Sequence, residues 1–178
     1  RHRDLDSFAE KETMLEAILI AGANGAGKTT FARQFLHVQH PQATFLNADE
    51  IQREAKAFEH PVAAARELLE RLAILERSRA SFAVETTLSS QMYVKRLRKW
   101  SRLGYRTTLH FIEVPSAEFA IQRVAQRVAA GGHSIPPEDI RRRYARGLAL
   151  FESTYKRLPS RWYHWYADDK GLRFAHQR

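Results

Sequence analysis

LEAILIAGANGAGKTTFAR, residues 15–33, decides how the rest of the chain is read. An apolar run ends at Gly22, a loop of small residues follows, and a helical period begins near Lys28. Gly22, Ala23, Asn24, Gly25, Ala26, Gly27, Lys28 and Thr29 fit the pattern G-x-x-x-x-G-K-[ST], placed after a strand and before a helix, where the pattern has a mechanism. Small residues let backbone N–H groups approach phosphate oxygens, and the N-terminus of the next helix adds partial positive charge. Lys28 then bridges the β- and γ-phosphates, Thr29 offers its hydroxyl to Mg²⁺, and Thr30 stands beside them in the first helical turn. The plain alternative is a glycine turn that only caps a helix. The full pattern in this context makes a nucleoside triphosphate site the expectation.

Outward from this stretch the same cycle repeats. Ala43–Leu46 and Ser81–Val84 are short strand candidates, separated by helical stretches around Glu50–Phe58 and Pro61–Arg79. In the second of these Val62, Ala65, Leu69, Leu72 and Leu75 make an apolar stripe, and Pro61 suits a first helical turn. Ser90–Leu103 is helical, with Tyr93, Leu97 and Trp100 on one face and Gly104 as its stop. A strand over Tyr105–Val114 and a helix over Ser116–Ala130 follow, the latter broken by Gly131 and Gly132. Pro136-Pro137-Glu138-Asp139 opens another helix, running to about Leu158, with the acidic first turn that its dipole favours. Trp162–Tyr166 is a last strand, closed by the turn signal Asp168-Asp169-Lys170-Gly171. Alternating strands and helices imply an α/β fold of three layers, with a mostly parallel central sheet covered by helices on both faces. Residues 14–178 read as that one domain, and residues 1–13, rich in alternating charge, as a leader or extension.

Composition agrees and excludes. At 178 residues and 20.6 kDa one domain with a real core is expected. The absence of Cys removes disulfides, thiolate nucleophiles and thiolate metal sites. No apolar run approaches the roughly 20 residues needed to cross a bilayer, and no signal-like apolar core stands at the N-terminus, so a cytoplasmic protein without a membrane partner is expected. The net charge of +9, carried by 22 Arg and 7 Lys, favours an anionic partner.

The phosphate loop leaves several chemistries open. An Asn-Lys-x-Asp tetrapeptide for reading guanine does not occur in the chain. The acidic residues of FLNADE come only 21 positions after Lys28 and the apolar strand is broken by Asn47, unlike the long apolar strand and acidic pair of motor-type ATPases. A small-molecule kinase fits better: a carboxylate at the sheet's C-terminal edge takes an acceptor's proton while arginines neutralise the transferred group.

Four stretches, IAGANGAGKTTFAR at 20–33, FLNADEI at 45–51, FAVETTLSS at 82–90 and RVAQRVAAGGHSIPPEDIRRRY at 123–144, resemble the zeta-toxin-like P-loop kinases, especially their short bacterial members, in order and spacing across residues 15 to about 170. The resemblance implies that Asp49 is the general base for an acceptor hydroxyl; its structural alternative is the N-cap of the following helix. It implies that Asn47 positions substrate and that Glu85, with Thr86 and Thr87 beside it, contacts substrate, against the alternative of an exposed strand-end acid. The resemblance also implies a P-loop, nucleotide-kinase-like fold with a helical lid at about 123–146: Arg123 and Arg127, four apart on one helix face, stand at its root, and Arg141, Arg142 and Arg143 return beyond the Gly131-Gly132 break. Arg127 and Arg142 are the favoured catalytic pair, with Arg123 on the nucleotide; a solvated basic face is the alternative. In the larger toxins of the family the acceptor is the amino-sugar hydroxyl of UDP-N-acetylglucosamine. The resemblance therefore implies ATP and Mg²⁺ as cofactors, a small anionic metabolite such as a UDP-sugar as substrate, and an antitoxin protein as partner. A nucleoside or polynucleotide kinase of the same fold, or an ATP-binding regulator acting through a partner, stays open beside it.

Lys95, Arg96, Arg98, Lys99, Arg102 and Arg106 form a basic cluster that suits either solvent or nucleic acid. Trp162, Tyr163, Trp165 and Tyr166 read as core strand, or as a ring flanking adenine near Asp168. The eight histidines show no metal-ligand spacing, so the expected metal is Mg²⁺ carried by nucleotide.

Overall fold

The computed structural model describes residues 14–54 and 61–177. The leader at 1–13 and the expected helix end at Phe58 lie outside them. Strand β1, Glu16–Gly22, is buried at every residue, which is why it reads as one unbroken apolar run. It lies between β3, Phe82–Thr86, and β4, Arg106–Glu113, both parallel to it, so Leu19 pairs with Val84 on one side and with Leu109 on the other. With β2, Thr44–Leu46, β5, Arg161–Asp168, and β6, Gly171–Gln177, the sheet order is β2-β3-β1-β4-β5-β6. All pairs are parallel except β5 with β6. The chain moves outward on one side of β1 as far as β2, returns to β3, and then crosses to β4. The C-terminal edge of β1 is therefore a topological switch point, the usual place for a ligand in such sheets.

Helices cover both faces. Alternate residues of β1 feed two cores: Ala17, Leu19 and Ala21 meet helices α3, Pro61–Arg77, α4, Met92–Arg102, and α6, Pro137–Ser153, while Ile18 and Ile20 meet α1, Lys28–Gln39, and α5, Ala117–Ala129. The expected three-layer α/β architecture is the one observed. On α4 Tyr93, Leu97 and Trp100 are buried as read, and Gly104 follows the helix with φ +82°.

Four local expectations change. The buried stripe of α3 runs through Ala64, Leu68 and Leu72, and Val62 is 73% exposed. Spacing alone allowed either of two neighbouring stripes on a helix rich in Ala and Leu, and packing on α4 and β3 selects this one. The helix α2, Ala48–Glu54, starts two residues before the expected Glu50, because Asn47 caps it: Asn47 Oδ1 accepts from Asp49 N at 2.8 Å and its carbonyl from Ile51 N at 3.0 Å. Helix α6 ends at Ser153, and Tyr155–Arg157 turns in a short 3₁₀ segment that buries Tyr155. Finally, Asp168–Gly171 is not the end of the sheet but a tight hairpin turn, in which Asp168 Oδ1 accepts from Lys170 N at 2.8 Å, and β6 returns antiparallel along β5. Beta6 is an exposed edge with weak alternation, so little in its sequence marks it.

The basic cluster on α4 is partly consumed within the fold. Glu76 of α3, 7% exposed, accepts from Trp100 Nε1 at 2.6 Å and pairs with Lys99 and Arg96, while Arg106 pairs with Glu16. Those ion pairs hold Glu76 ionised below the usual carboxylate range against the opposing effect of its burial. Among the described residues no helix is long and apolar enough to cross a membrane.

Candidate active site

The loop after β1 is glycine-rich because its backbone runs against other backbone. At Gly25, φ +80°, a Cβ would meet the Ala120 carbonyl oxygen of α5 at 2.6 Å, and at Gly22 one would collide with the Ile112 carbonyl of β4. Gly27, φ +86°, leads directly into α1. Lys28, the first residue of α1, is 6% exposed and donates from Nζ to the Ala23 carbonyl at 2.8 Å, with Glu85 Oε1 at 3.7 Å. Burial pushes its ammonium below its usual pKa, and the carboxylates of Glu85 and Asp49 oppose that shift.

Glu85, near the end of β3, ties three segments together. Its Oε2 accepts from Thr29 Oγ1 at 2.7 Å and from Asn47 Nδ2 at 2.7 Å, and Asn47 Nδ2 also lies 3.3 Å from Thr29 Oγ1. Asn47 is 4% exposed and is spent on this network and on capping α2. Asp49, one helical position beyond the start of α2, is thereby released from the capping role that the sequence left open. It is exposed and lines the cleft.

The cleft measures about 270 Å³ and joins the loop residues Asn24, Gly25, Gly27, Lys28, Thr29 and Thr30 to Asp49, Glu85, Arg123 and Arg127. A neighbouring depression of about 810 Å³ shares Thr29, Thr30, Asp49 and Arg127 and extends to Arg53 and the Gly131-Gly132-His133 turn. Arg127 thus stands between the two, with Nη2 donating to the His133 carbonyl at 3.2 Å. Arg123 lies over the Phe119 ring at 5.5 Å.

Other expected residues fall elsewhere. Arg142 does not line the cleft: its Nη2 donates to Asp139 Oδ1 at 2.5 Å, one turn back on α6. Its neighbour Arg143 reaches the loop instead, donating from Nη1 to Asn24 Oδ1 at 3.3 Å. The three-arginine run could not say which of its members faces inward, since helical phase relative to the loop is set by the α5–α6 packing. Thr86 and Thr87 also stand back from the cleft: Thr86 Oγ1 accepts from Leu88 N at 3.0 Å, and Thr87 Oγ1 lies 2.9 Å from Ser89 Oγ. They shape a turn in which buried Leu88 takes φ +57°, an unfavourable conformation for a leucine that its burial holds in place. The aromatic run of β5 packs on α1 and α6, with Trp165 5.3 Å from Phe31 and Trp162 5.9 Å from Phe151, and is absent from the cleft lining.

Divalent magnesium prefers hard oxygen ligands and keeps water or phosphate oxygens in its shell. Thr29 Oγ1 and Glu85 Oε2, 2.7 Å apart at the loop, are such a donor pair, and no group of three His, Cys, Asp or Glu side chains competes for a metal among the described residues. The chemistry of the site fits the ion.

Comparison with known proteins agrees with the geometry. A family model described as an AAA domain matches residues 18–153. An uncharacterized protein of Haemophilus influenzae is 26% identical over 132 residues, 72% of this chain and 92% of the relative. Among solved structures, that of the PezAT chromosomal toxin–antitoxin system of Streptococcus pneumoniae aligns with TM-score 0.66 and 20% identity over 93% of this chain and 71% of the matched one. The AvrRxo1-ORF1:-ORF2 structure with ATP aligns with TM-score 0.70 and 15% identity, and there the match covers 92% of this chain but only 58% of the other. The loop, the switch point and the family match together place the chain in the AAA domain family, with the fold of the zeta-toxin-like P-loop kinases.

Proposed function

We propose that the protein is an ATP- and Mg²⁺-dependent kinase that moves the γ-phosphoryl group to a hydroxyl of a small anionic metabolite, a UDP-sugar being the first acceptor to test. The observation that carries this reading is the single cleft in which Lys28 and the phosphate loop face an Asp49 carboxylate that no other side chain engages among the described residues. In this reading loop amides and Lys28 hold the β- and γ-phosphates. Thr29 and Glu85 would hold Mg²⁺, which when bound offsets charge on the phosphate oxygens. Asp49 takes the acceptor hydroxyl proton as the new O–P bond forms and the bond from Pγ to the bridging β–γ oxygen breaks, releasing ADP. Arg127 and Arg123 neutralise the transferred group from the α5 side, and Arg143 orders the loop through Asn24. Arg142 has no role at the phosphates in this arrangement. Asn47 and Glu85 fix the wall against which the acceptor binds, with the Thr86–Thr87 turn behind it.

Proteins of this fold stand in a toxin–antitoxin system and in the ORF1:ORF2 complex. A partner that covers the cleft is the corresponding proposal here.

The test is transfer of label from γ-labelled ATP to a panel of UDP-sugars, nucleosides and 5′-hydroxyl oligonucleotides, with Asp49→Asn in parallel. Label on a UDP-sugar is expected, and the variant should lose roughly 10²- to 10⁴-fold in turnover while keeping ATP affinity within a few-fold. Label on an oligonucleotide alone would replace the metabolite reading with the polynucleotide one, and ATP binding without transfer to any acceptor would refute a kinase.

A further inference from the structure

On the α1 face of the sheet, from the start of β1, β4 and β5 to the middle of β4 and β5, lies a second cavity of about 480 Å³. Its Glu16 end lies about 20 Å along β1 from the phosphate loop, while its Trp165 end is level with Gly22 but two strands away, across β4. Its floor is made by residues of one parity: His110 of β4 pairs with Tyr163 of β5, and Trp165 pairs with Phe174 of β6. The last turn of α1 supplies a wall, with Phe35 4.5 Å from the His110 ring. The floor is a row of aromatic rings, since His110 and Tyr163 stack face to face at 4.9 Å and 9°.

The polar groups of the cavity are unevenly satisfied. Glu16, 3% exposed, is engaged by both His40 and Arg106. Arg161 at the rim is exposed and has no ion pair among the described residues. Trp165 Nε1 donates to His110 Nδ1 at 3.1 Å, which leaves the imidazole proton on Nε2. That Nε2 is buried, in a side chain 1% exposed, and has no partner among the described residues. Buried donors are rarely left unpaired, and ligand sites combine aromatic walls with a few polar groups of this kind. A cavity walled by aromatic rings takes a further ring, a free guanidinium takes an anion, and an orphaned N–H takes an acceptor atom.

We propose that this cavity is a second binding site, for a planar aromatic molecule carrying one carboxylate or phosphate, with its ring on Tyr163 and Trp165 and its anionic group at Arg161. The site shares no lining residue with the cleft that holds Lys28, and the inference stands independently of the reaction assigned there.

Calorimetric titration of the full chain with 2-naphthoate, 2-naphthyl phosphate and the neutral 2-naphthalenemethanol tests it. At least one anion should bind with unit stoichiometry and roughly tenfold or more tighter than the alcohol. The tighter of the two anions identifies the head group, and either supports the proposal. Arg161→Gln, a change at an exposed side chain, should bring the anion down to the affinity of the alcohol, while Lys28→Ala and a saturating non-hydrolysable ATP analogue should leave it unchanged. The proposal is overturned by the absence of anion binding, by equal affinity for anion and alcohol, by indifference to Arg161→Gln, or by displacement with the ATP analogue. Binding that appears only once residues 1–13 are deleted overturns it as well, because the cavity would then belong to the chain's own N-terminal stretch.

Discussion

Two adjacent arginines separate what a charge run conceals. Arg143 bonds Asn24 in the phosphate loop at 3.3 Å, whereas Arg142 is paired with Asp139 in solvent. Arg143→Ala should weaken ATP binding roughly 2- to 10-fold, the value of one hydrogen bond, and Arg142→Ala should leave it within about twofold. Titration of both variants with nucleotide decides this, and equal effects would contradict the assignment. His110 gives a second expectation. Burial, with a smaller contribution from His40, lowers its pKa from 6.5 to about 3. The unfolded chain therefore binds a proton that the folded one does not as pH falls from about 6.5 toward 3, and stability should drop by up to about 1.4 kcal/mol per pH unit on this account. Urea unfolding of wild type and His110→Phe at several pH values checks it, since the variant should have the shallower slope over that window. Of the site residues, Asn24, Gly25, Gly27, Lys28, Thr29 and Thr30 of the loop line one cleft with Asp49, Glu85 and Arg127, and Asn47 lines the depression beside it. Their spacing is local and its chemistry legible. Arg142, Thr86 and Thr87 were not separable from their neighbours, because only tertiary packing determines which of several adjacent polar side chains turns inward.

Among the elements, α6 has a constraint that its sequence shows only as an unexplained glycine inside a helix. A Cβ at Gly147 would meet the Thr87 carbonyl oxygen at 2.7 Å. The helix therefore packs backbone against backbone on the turn that carries Leu88 at φ +57°. Gly147→Ala should cost about 1–3 kcal/mol, or roughly 2–4 °C in Tm for each kcal/mol, and should also depress turnover by moving the wall beside Glu85. Calorimetric melting together with label transfer measures both; an unchanged Tm would mean that the contact relaxes freely. The long, strongly patterned elements β1, α4, β4 and α5 were readable from periodicity and stop signals. The register of α3 was not, since its Ala and Leu residues satisfy two stripes, and β6 was hidden because an exposed edge strand has no buried face to impose alternation.

At the scale of the whole molecule, the two halves of the cleft hang from parts of unequal depth. The phosphate loop is carried by β1, which is buried throughout and paired on both sides, while Asp49 rides on a seven-residue helix and Arg127 on the last turn of α5. Amides of β1 should be the slowest to exchange with deuterium, and those of α2 and of residues 130–136 among the fastest. Comparable protection of all three would count against this division. Gradual warming should accordingly silence the protein before it empties it: partial loosening of the outer half abolishes transfer while the central strand still grips its triphosphate. The temperature at which phosphorylation ceases should then lie below the temperature at which bound nucleotide is released.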